Sequence, residues 1–176
     1  MDPRGKIIIQ KLFCFMFKNR HALRKKEKKK VLEELYEQLG CKIEGVIEIA
    51  DYKDKKVMLI DGKLHAIFIN NKPFLTVAGL RKFVPTKKYV TVDDGAIKFI
   101  TNGADIMTPG IVDADEGIKI NELVWIRDER GMPIAIGKAL MNGTTMKKEK
   151  KGKAVENIHY LGDEIWKMGM KNSKLL

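Results

Sequence analysis

Residues 93–111 combine side chains and backbone features suited to binding a phosphate chain. Asp93 can cap a short helix whose apolar residues share one face. Lys98 and Asn102, four residues apart, then lie together on the other face. Gly103 is placed for the left-handed position that ends a helix, and a two-residue strand and a proline-glycine turn follow. The stretch predicts a cationic helix face beside an open backbone.

Patterns that could support catalysis are incomplete. The three histidines, His21, His65 and His159, lack the spacing of metal ligands, and Ser173, the only serine, lies in a polar tail. Residues 131–139 resemble a phosphate-binding loop, but they have one residue too many between the glycines. They also place Ala139 where a magnesium-binding Ser or Thr is needed. We therefore expect no enzymatic activity.

Metal and cofactor sites are also not predicted. The acidic residues 113–117 lie between a turn and a strand, which favours a solvated loop over a metal site. Cys14 and Cys41 have no pairing spacing and no nearby histidine, a pattern that fits a reducing cytoplasm and argues against zinc. No apolar run approaches the ~20 residues needed to span a membrane.

The net charge of +11 is concentrated in two segments. Residues 18–30 carry eight Lys or Arg against one Glu, and residues 147–153 carry five Lys against one Glu. The remaining chain is neutral overall. Excess charge confined to two patches favours a polyanionic partner, and nucleic acid is the favoured one.

The first half of the chain predicts a small α+β domain. A helical pattern runs from Leu23 to Leu39, with Tyr36 on its apolar stripe and Gly40 as its stop. Strand patterns follow at residues 46–49, 57–60, 64–69 and 74–77, with a short helix at residues 80–83. Asp61-Gly62 predicts a hairpin turn between the second and third strands.

The second half predicts many short strands with one early helix, which suits a small, partly open mixed β-barrel. The strands include residues 89–92, 123–127 and 134–140, the last two joined by a hairpin. A basic loop at residues 147–153 precedes a strand at residues 158–161.

Two sequence blocks carry a family resemblance. Residues 93–111 and residues 155–166 (VENIHYLGDEIW) resemble the signature of the PUA domain, the RNA-binding module of pseudouridine synthases and archaeosine transglycosylases. With the domain in front, the chain resembles archaeal relatives of the malignant T-cell amplified sequence family. The resemblance implies an N-terminal α+β domain at residues 19–86, a PUA-type pseudo-barrel at residues 87–168 and a tail at residues 169–176.

Residues 1–18 have no counterpart in that resemblance. They form either an extra strand or upstream sequence added by a wrongly chosen start codon, with Met16 as the true start.

The resemblance implies an RNA-binding groove along the first PUA helix and the turn after it. Its predicted residues are Lys98, Asn102, Gly103, Ala104, Asp105, Met107, Pro109 and Gly110. Met107 offers an apolar surface to an unstacked base, whereas the Asp105 carboxylate would repel phosphate and suits a base donor or a structural turn. Phosphate contacts are also expected from Lys87, Lys88, Lys147, Lys148, Lys150 and Lys151. A secondary basic patch comprises Arg20, Arg24, Lys25, Lys26, Lys28 and Lys29.

The implied function is that of a cytoplasmic, non-enzymatic RNA-binding protein. The resemblance implies contact with tRNA or rRNA on the small ribosomal subunit, with an initiation-factor-like protein as a possible partner. The alternative is an RNA-guiding subunit of a tRNA or rRNA modification complex whose catalyst is another chain. A third hypothesis makes residues 19–86 mainly a protein-docking surface.

Overall fold

The computed structural model describes residues 3–173, except for the side chains of residues 6, 9–14, 172 and 173. A first sheet is antiparallel and follows chain order, with strands β1 (Lys18–Ala22), β2 (Ile47–Tyr52), β3 (Lys55–Ile60), β4 (Lys63–Ile69) and β5 (Lys72–Leu75). It is accompanied by helices α1 (Pro3–Met16), α2 (Lys25–Leu39) and α3 (Val77–Phe83).

A second sheet is mixed and has the order β7-β11-β10-β9-β6-β8. Its strands are β6 (Tyr89–Val92), β7 (Ile106–Met107), β8 (Ile111–Ala114), β9 (Leu123–Arg127), β10 (Pro133–Ala139) and β11 (Lys153–Tyr160). Helices α4 (Asp94–Ile100), α5 (Gly143–Lys148) and α6 (Glu164–Ser173) and a 3₁₀ turn (Thr108–Gly110) complete this part. β6 pairs in parallel with β9, and the other pairs are antiparallel.

Each sheet covers its own hydrophobic core, and the two parts also pack together. The second core is enclosed by the mixed sheet, which curls into a nearly closed barrel. The first core takes Trp125 and Ile136 from the mixed sheet, and Ile165 and Met168 from α6. The predicted fold class, an α+β part followed by a mixed β pseudo-barrel, is confirmed.

A buried histidine, His159, links the barrel to the N-terminal part of the chain. His159 is fully buried, and its Nε2 accepts a hydrogen bond from the backbone N–H of Val77 at 3.1 Å. Its Nδ1 lies 2.7 Å from the Asp163 carboxylate, to which it donates, because Nε2 is the acceptor. Burial acts to raise the pKa of Asp163, but hydrogen bonds from His159 and from the backbone N–H groups of Trp166 and Tyr160 outweigh it, so the pKa is lowered. His159 therefore has a structural role.

Local turn chemistry agrees with the sequence. Asp61 and Gly62 both have positive φ, 51° and 75°, as the predicted two-residue hairpin requires. Helix α2 ends at Leu39, and Gly40 follows in the left-handed conformation.

Four local predictions differ from the structure. Tyr36 is 50% exposed, because α2 buries only the Leu35 and Leu39 side of its predicted stripe. Residues 3–16 are helical rather than a strand, and β1 begins only at Lys18. The predicted basic loop is helical up to Lys148, and the predicted tail is helical through Ser173.

No helix among residues 3–173 has the length and apolar character needed to cross a bilayer.

Candidate nucleic-acid interface

Helix α4 begins at the predicted cap, Asp93. The Asp93 carboxylate accepts the Ala96 N–H at 2.9 Å, which satisfies an orphan donor of the first turn. At the other end, the Asn102 amide donates to the Lys98 carbonyl at 2.8 Å. The helix ends at Ile100 with Thr101 in the right-handed conformation, so Gly103, with φ of 93°, belongs to the next turn rather than to the cap.

An open groove of about 540 Å³ runs beside α4. Phe99 and Met107 are 66% and 47% exposed, so the groove presents a ring and a thioether to solvent. We call this the α4 groove; it is lined by Asp93, Gly95, Ala96, Phe99, Ile100, Ala104, Asp105, Ile106, Met107, Pro109 and Gly110. Its charged lining residues are both aspartates, so it offers a surface for bases rather than for phosphates.

The α4 groove brings together five predicted site residues: Ala104, Asp105, Met107, Pro109 and Gly110. Lys98, Asn102 and Gly103 are exposed but do not line it. Sequence reasoning missed Phe99, which lies three residues after Ala96 and so on the same side of α4. The sequence signal that could have identified Phe99 is its three-residue spacing from Ala96, beside the apolar stripe of α4.

Gly103 and Gly110 allow close packing within the protein. A Cβ at Gly110 would lie 3.0 Å from the Ala96 Cβ, and one at Gly103 would lie 3.1 Å from the Tyr160 hydroxyl oxygen. The Gly110 carbonyl also accepts the Asp93 N–H at 2.9 Å. Gly110 therefore lets the turn approach α4 and shapes the α4 groove.

Asp105 joins the α4 groove to β11. Its carboxylate lies 2.6 Å from the Lys153 ammonium and accepts the Asn157 N–H at 2.8 Å. The bond from Lys153, followed by that from Asn157, lowers the pKa of Asp105. The Asn157 amide donates to the carbonyls of Ile100 and Ala104, at 3.1 and 2.9 Å. Of the two predicted roles, the structural turn is the one these contacts support.

The basic loop meets one end of the α4 groove. The Thr108 N–H donates to the Gly152 carbonyl at 3.0 Å, and Met107 pairs with Lys153 between β7 and β11. Lys148, Lys150 and Lys151 are exposed. The fold thus places a cationic segment beside an apolar groove from which it is about 40 residues distant in sequence.

Several predicted cations are engaged in ion pairs. Lys147 lies 3.0 Å from the Glu116 carboxylate, and this bond raises its pKa. The Lys88 side chain is only 17% exposed, because its ammonium donates to Glu122 and to the Gly117 carbonyl. Lys87 is exposed. Lys88 is therefore held as a structural contact rather than presented to a ligand.

The secondary basic patch is on the first sheet and on α2. Arg20 forms two hydrogen bonds with the Glu48 carboxylate, at 3.0 and 2.7 Å. Lys28 donates to the Gly45 carbonyl, and Lys29 lies 3.7 Å from Glu33. Arg24, Lys25 and Lys26 are exposed.

Trp125, His65 and Cys41 lie in the interior of the protein. Trp125 is buried and donates to the Lys87 carbonyl at 2.7 Å. His65 is buried against the Phe83 ring, and burial lowers its pKa to about 4. Cys41 is buried and free. Among the side chains that the structure describes, no cluster of three or more His, Cys, Asp or Glu is arranged to hold a metal ion.

Comparisons with known proteins agree with this architecture. The PUA domain family matches residues 88–161, and a family described as a domain of unknown function (DUF1947) matches residues 19–91. An uncharacterized protein of Methanocaldococcus jannaschii is 46% identical over 85% of this chain and 96% of its own length.

Two further matches cover most of the chain. Translation machinery-associated protein 20 of Saccharomyces cerevisiae is 30% identical over 80% of this chain and 81% of its own. A conserved PUA domain protein of Thermoplasma acidophilum superposes with a TM-score of 0.77 at 32% identity, covering 86% of this chain and 99% of that one.

The barrel, the capped helix α4 and the turn after it define a PUA-domain protein. Within that class, the chain belongs to the family that includes translation machinery-associated protein 20 and the malignant T-cell-amplified sequence proteins.

Proposed function

We propose that this protein binds single-stranded RNA in the α4 groove and acts in translation without catalysing a reaction itself. The observation that carries the proposal is the contact between the exposed basic loop and the end of an apolar groove. Selective RNA recognition favours unpaired bases, which can stack on aromatic and apolar side chains. Phosphate contacts from lysines add affinity without reading sequence.

The division of roles follows from the side chains. Phe99 and Met107 are exposed in the groove and can cover the faces of an unstacked base. Lys148, Lys150 and Lys151 supply the attraction to phosphate, together with Lys98 beside the groove. The groove therefore positions RNA, and the lysines around it attract RNA.

More specifically, we propose that the protein acts on the small ribosomal subunit, where it contacts tRNA or rRNA. The name of the yeast relative, translation machinery-associated protein 20, supports the translational context. An initiation-factor-like protein is the expected partner.

Two measurements test the proposal. Fluorescence anisotropy should show tighter binding to a labelled single-stranded RNA than to a duplex of the same sequence; equal affinity, or none, would refute it. In the native host, crosslinking and sequencing of the bound RNA, with sedimentation of ribosomal subunits, should place the protein on the small subunit. Co-purification with an RNA-modifying enzyme instead would support a guiding role.

A further inference from the structure

The free edge of β7 faces the α4 groove. β7 is a terminal strand of the mixed sheet, and its partner there is β11. The chain passes along α4, turns after Ile100 and returns through β7, and both segments line the groove. β11 contributes no residue to the described lining. The groove therefore lies on the side of β7 that is turned away from β11.

Strand pairing fixes the directions of the backbone groups in β7. The Leu140 N–H donates to the Ala154 carbonyl at 2.8 Å, so Ala154 directs its backbone groups towards β10. The next residue, Val155, directs its backbone groups towards β7, because successive residues of a strand alternate. Val155 is the register partner of Ile106. The Ile106 N–H and carbonyl therefore both point towards β11.

Two neighbouring main-chain groups must then point away from β11. Within one planar trans peptide unit, the carbonyl and the N–H point in opposite directions. The Asp105 carbonyl shares a peptide unit with the Ile106 N–H, so it points away from β11. The Met107 N–H shares a unit with the Ile106 carbonyl, so it points the same way as the Asp105 carbonyl. Asp105 and Met107 both line the α4 groove.

Both groups are left for a ligand. Among the described residues, no side chain and no turn or loop backbone group bonds to the Asp105 carbonyl or to the Met107 N–H. The strand ladder does not use them, since β11 lies on the other side of β7. The Asp105 carboxylate, by contrast, is already bound to Lys153 and to the Asn157 N–H. The groove thus offers one main-chain acceptor and one main-chain donor.

An acceptor beside a donor fits the hydrogen-bonding edge of a nucleobase. Adenine and cytosine, for example, carry an amino donor next to a ring-nitrogen acceptor on the edge that pairs in a duplex. A phosphate has no donor for the carbonyl. A peptide strand needs more such groups in a row, but β7 has two residues and Pro109, which lacks an N–H, lies in the turn after it.

We propose that the α4 groove reads the edge of one unpaired base through the main chain of β7. The Asp105 carbonyl accepts a hydrogen bond from an N–H of the base, and the Met107 N–H donates to the acceptor beside it. This proposal rests on the proposed function and adds selectivity to it. Stacking on Phe99 suits any base, whereas the two main-chain bonds require a base edge that is free of a Watson–Crick partner.

The first test changes the RNA. The probe is a labelled hexanucleotide of alternating adenosine and cytidine. Its modified form carries deaza analogues of both bases, in which a C–H replaces the ring nitrogen of the pairing edge. The wild-type protein should bind the modified strand about tenfold more weakly in fluorescence anisotropy, because the Met107 N–H then has no acceptor.

The second test changes the protein at the same bond. Met107→Pro removes the N–H, and Met107→Ala is the matched control, because it shortens the side chain and keeps the N–H. Proline suits an edge strand whose N–H points outward, and Met107 has an extended backbone with φ of −98° and ψ of 145°. Met107→Pro should bind the unmodified strand about tenfold more weakly than Met107→Ala does. Met107→Ala should still distinguish the two strands, and Met107→Pro should not.

The outcomes separate this proposal from the proposed function. If the wild-type protein does not bind the unmodified strand, the proposed function fails. If it binds both strands equally, single-stranded RNA binding stands but base reading by β7 is overturned, and its edge is left to a protein partner. A tenfold difference that persists in folded Met107→Pro also overturns it. Thermal unfolding checks the fold of both variants, and the wild-type comparison decides the proposal even if Met107→Pro is unfolded.

Discussion

Replacing Phe99 with Ala should separate base binding from folding. Phe99 is 66% exposed on α4, so the substitution removes little packed surface. Stability should change by no more than about 0.5 kcal/mol, as for other surface substitutions. A base stacked on an aromatic side chain contributes about 1–3 kcal/mol, so affinity for single-stranded RNA should fall about 5-fold to 150-fold.

The assay is anisotropy with a single-stranded RNA over a range of salt concentrations. Because Phe99→Ala removes no charge, affinity should fall while the dependence of affinity on salt stays unchanged. Phe99→Tyr should retain most of the affinity, since it keeps an aromatic face. Tyr36→Ala is the matched control, because Tyr36 is a half-exposed aromatic on α2, away from the α4 groove.

Unchanged affinity in Phe99→Ala would refute the assignment of base binding to the α4 groove. An equal loss in Tyr36→Ala would refute it as well, because the effect would then not belong to the groove. A reduced salt slope in Phe99→Ala would show that the substitution disturbs phosphate contacts instead.

Three further predictions concern charge. Replacing Lys148, Lys150 and Lys151 with Gln should weaken binding to all single-stranded RNAs by a similar factor and reduce the salt slope by about 2, measured by filter binding; losses that depend on sequence would contradict this. Lys98→Gln should reduce the slope by about 0.7, and no change would eliminate it as a contact. His65, buried with a pKa of about 4 against 6.5 ordinarily, is protonated more readily in the unfolded chain, so stability should fall as the pH drops from 6.5 towards 4. Urea unfolding between about pH 7 and about pH 4.5 should show a loss about 2.5 kcal/mol larger than in His65→Leu, and equal losses would refute it.

Local elements were predictable because their causes are local. Asp93 caps α4 with its own carboxylate, and the Asp61-Gly62 turn takes the positive φ values that its residue types favour. Tyr36 was misplaced because a helical stripe gives the apolar side of α2 but not its width, which depends on where the sheet lies. Phe99 was missed although its spacing from Ala96 is visible in the sequence, because the groove beside it forms only where the turn at Pro109 and Gly110 meets α4.

Which charged residues form ion pairs was not predictable from the sequence. The lysine-rich runs and the aspartates of residues 93–111 are visible as composition, but ion pairing depends on distance in space. Lys88 meets Glu122, Lys153 meets Asp105, and Lys147 meets Glu116 only after the strands have paired. These pairs remove cations that the sequence had counted as free.

The sequence by itself determined α2, α4 and the hairpin strands, the family and the location of the excess positive charge, because capping, turn conformation and local charge are properties of neighbouring residues. The tertiary structure decided which residues form one surface. It set the basic loop against the α4 groove through Thr108 and Gly152, and brought the lysines of β3 towards β11. Those arrangements depend on strand order and on the packing of the two parts, which bring together residues that no sequence spacing relates.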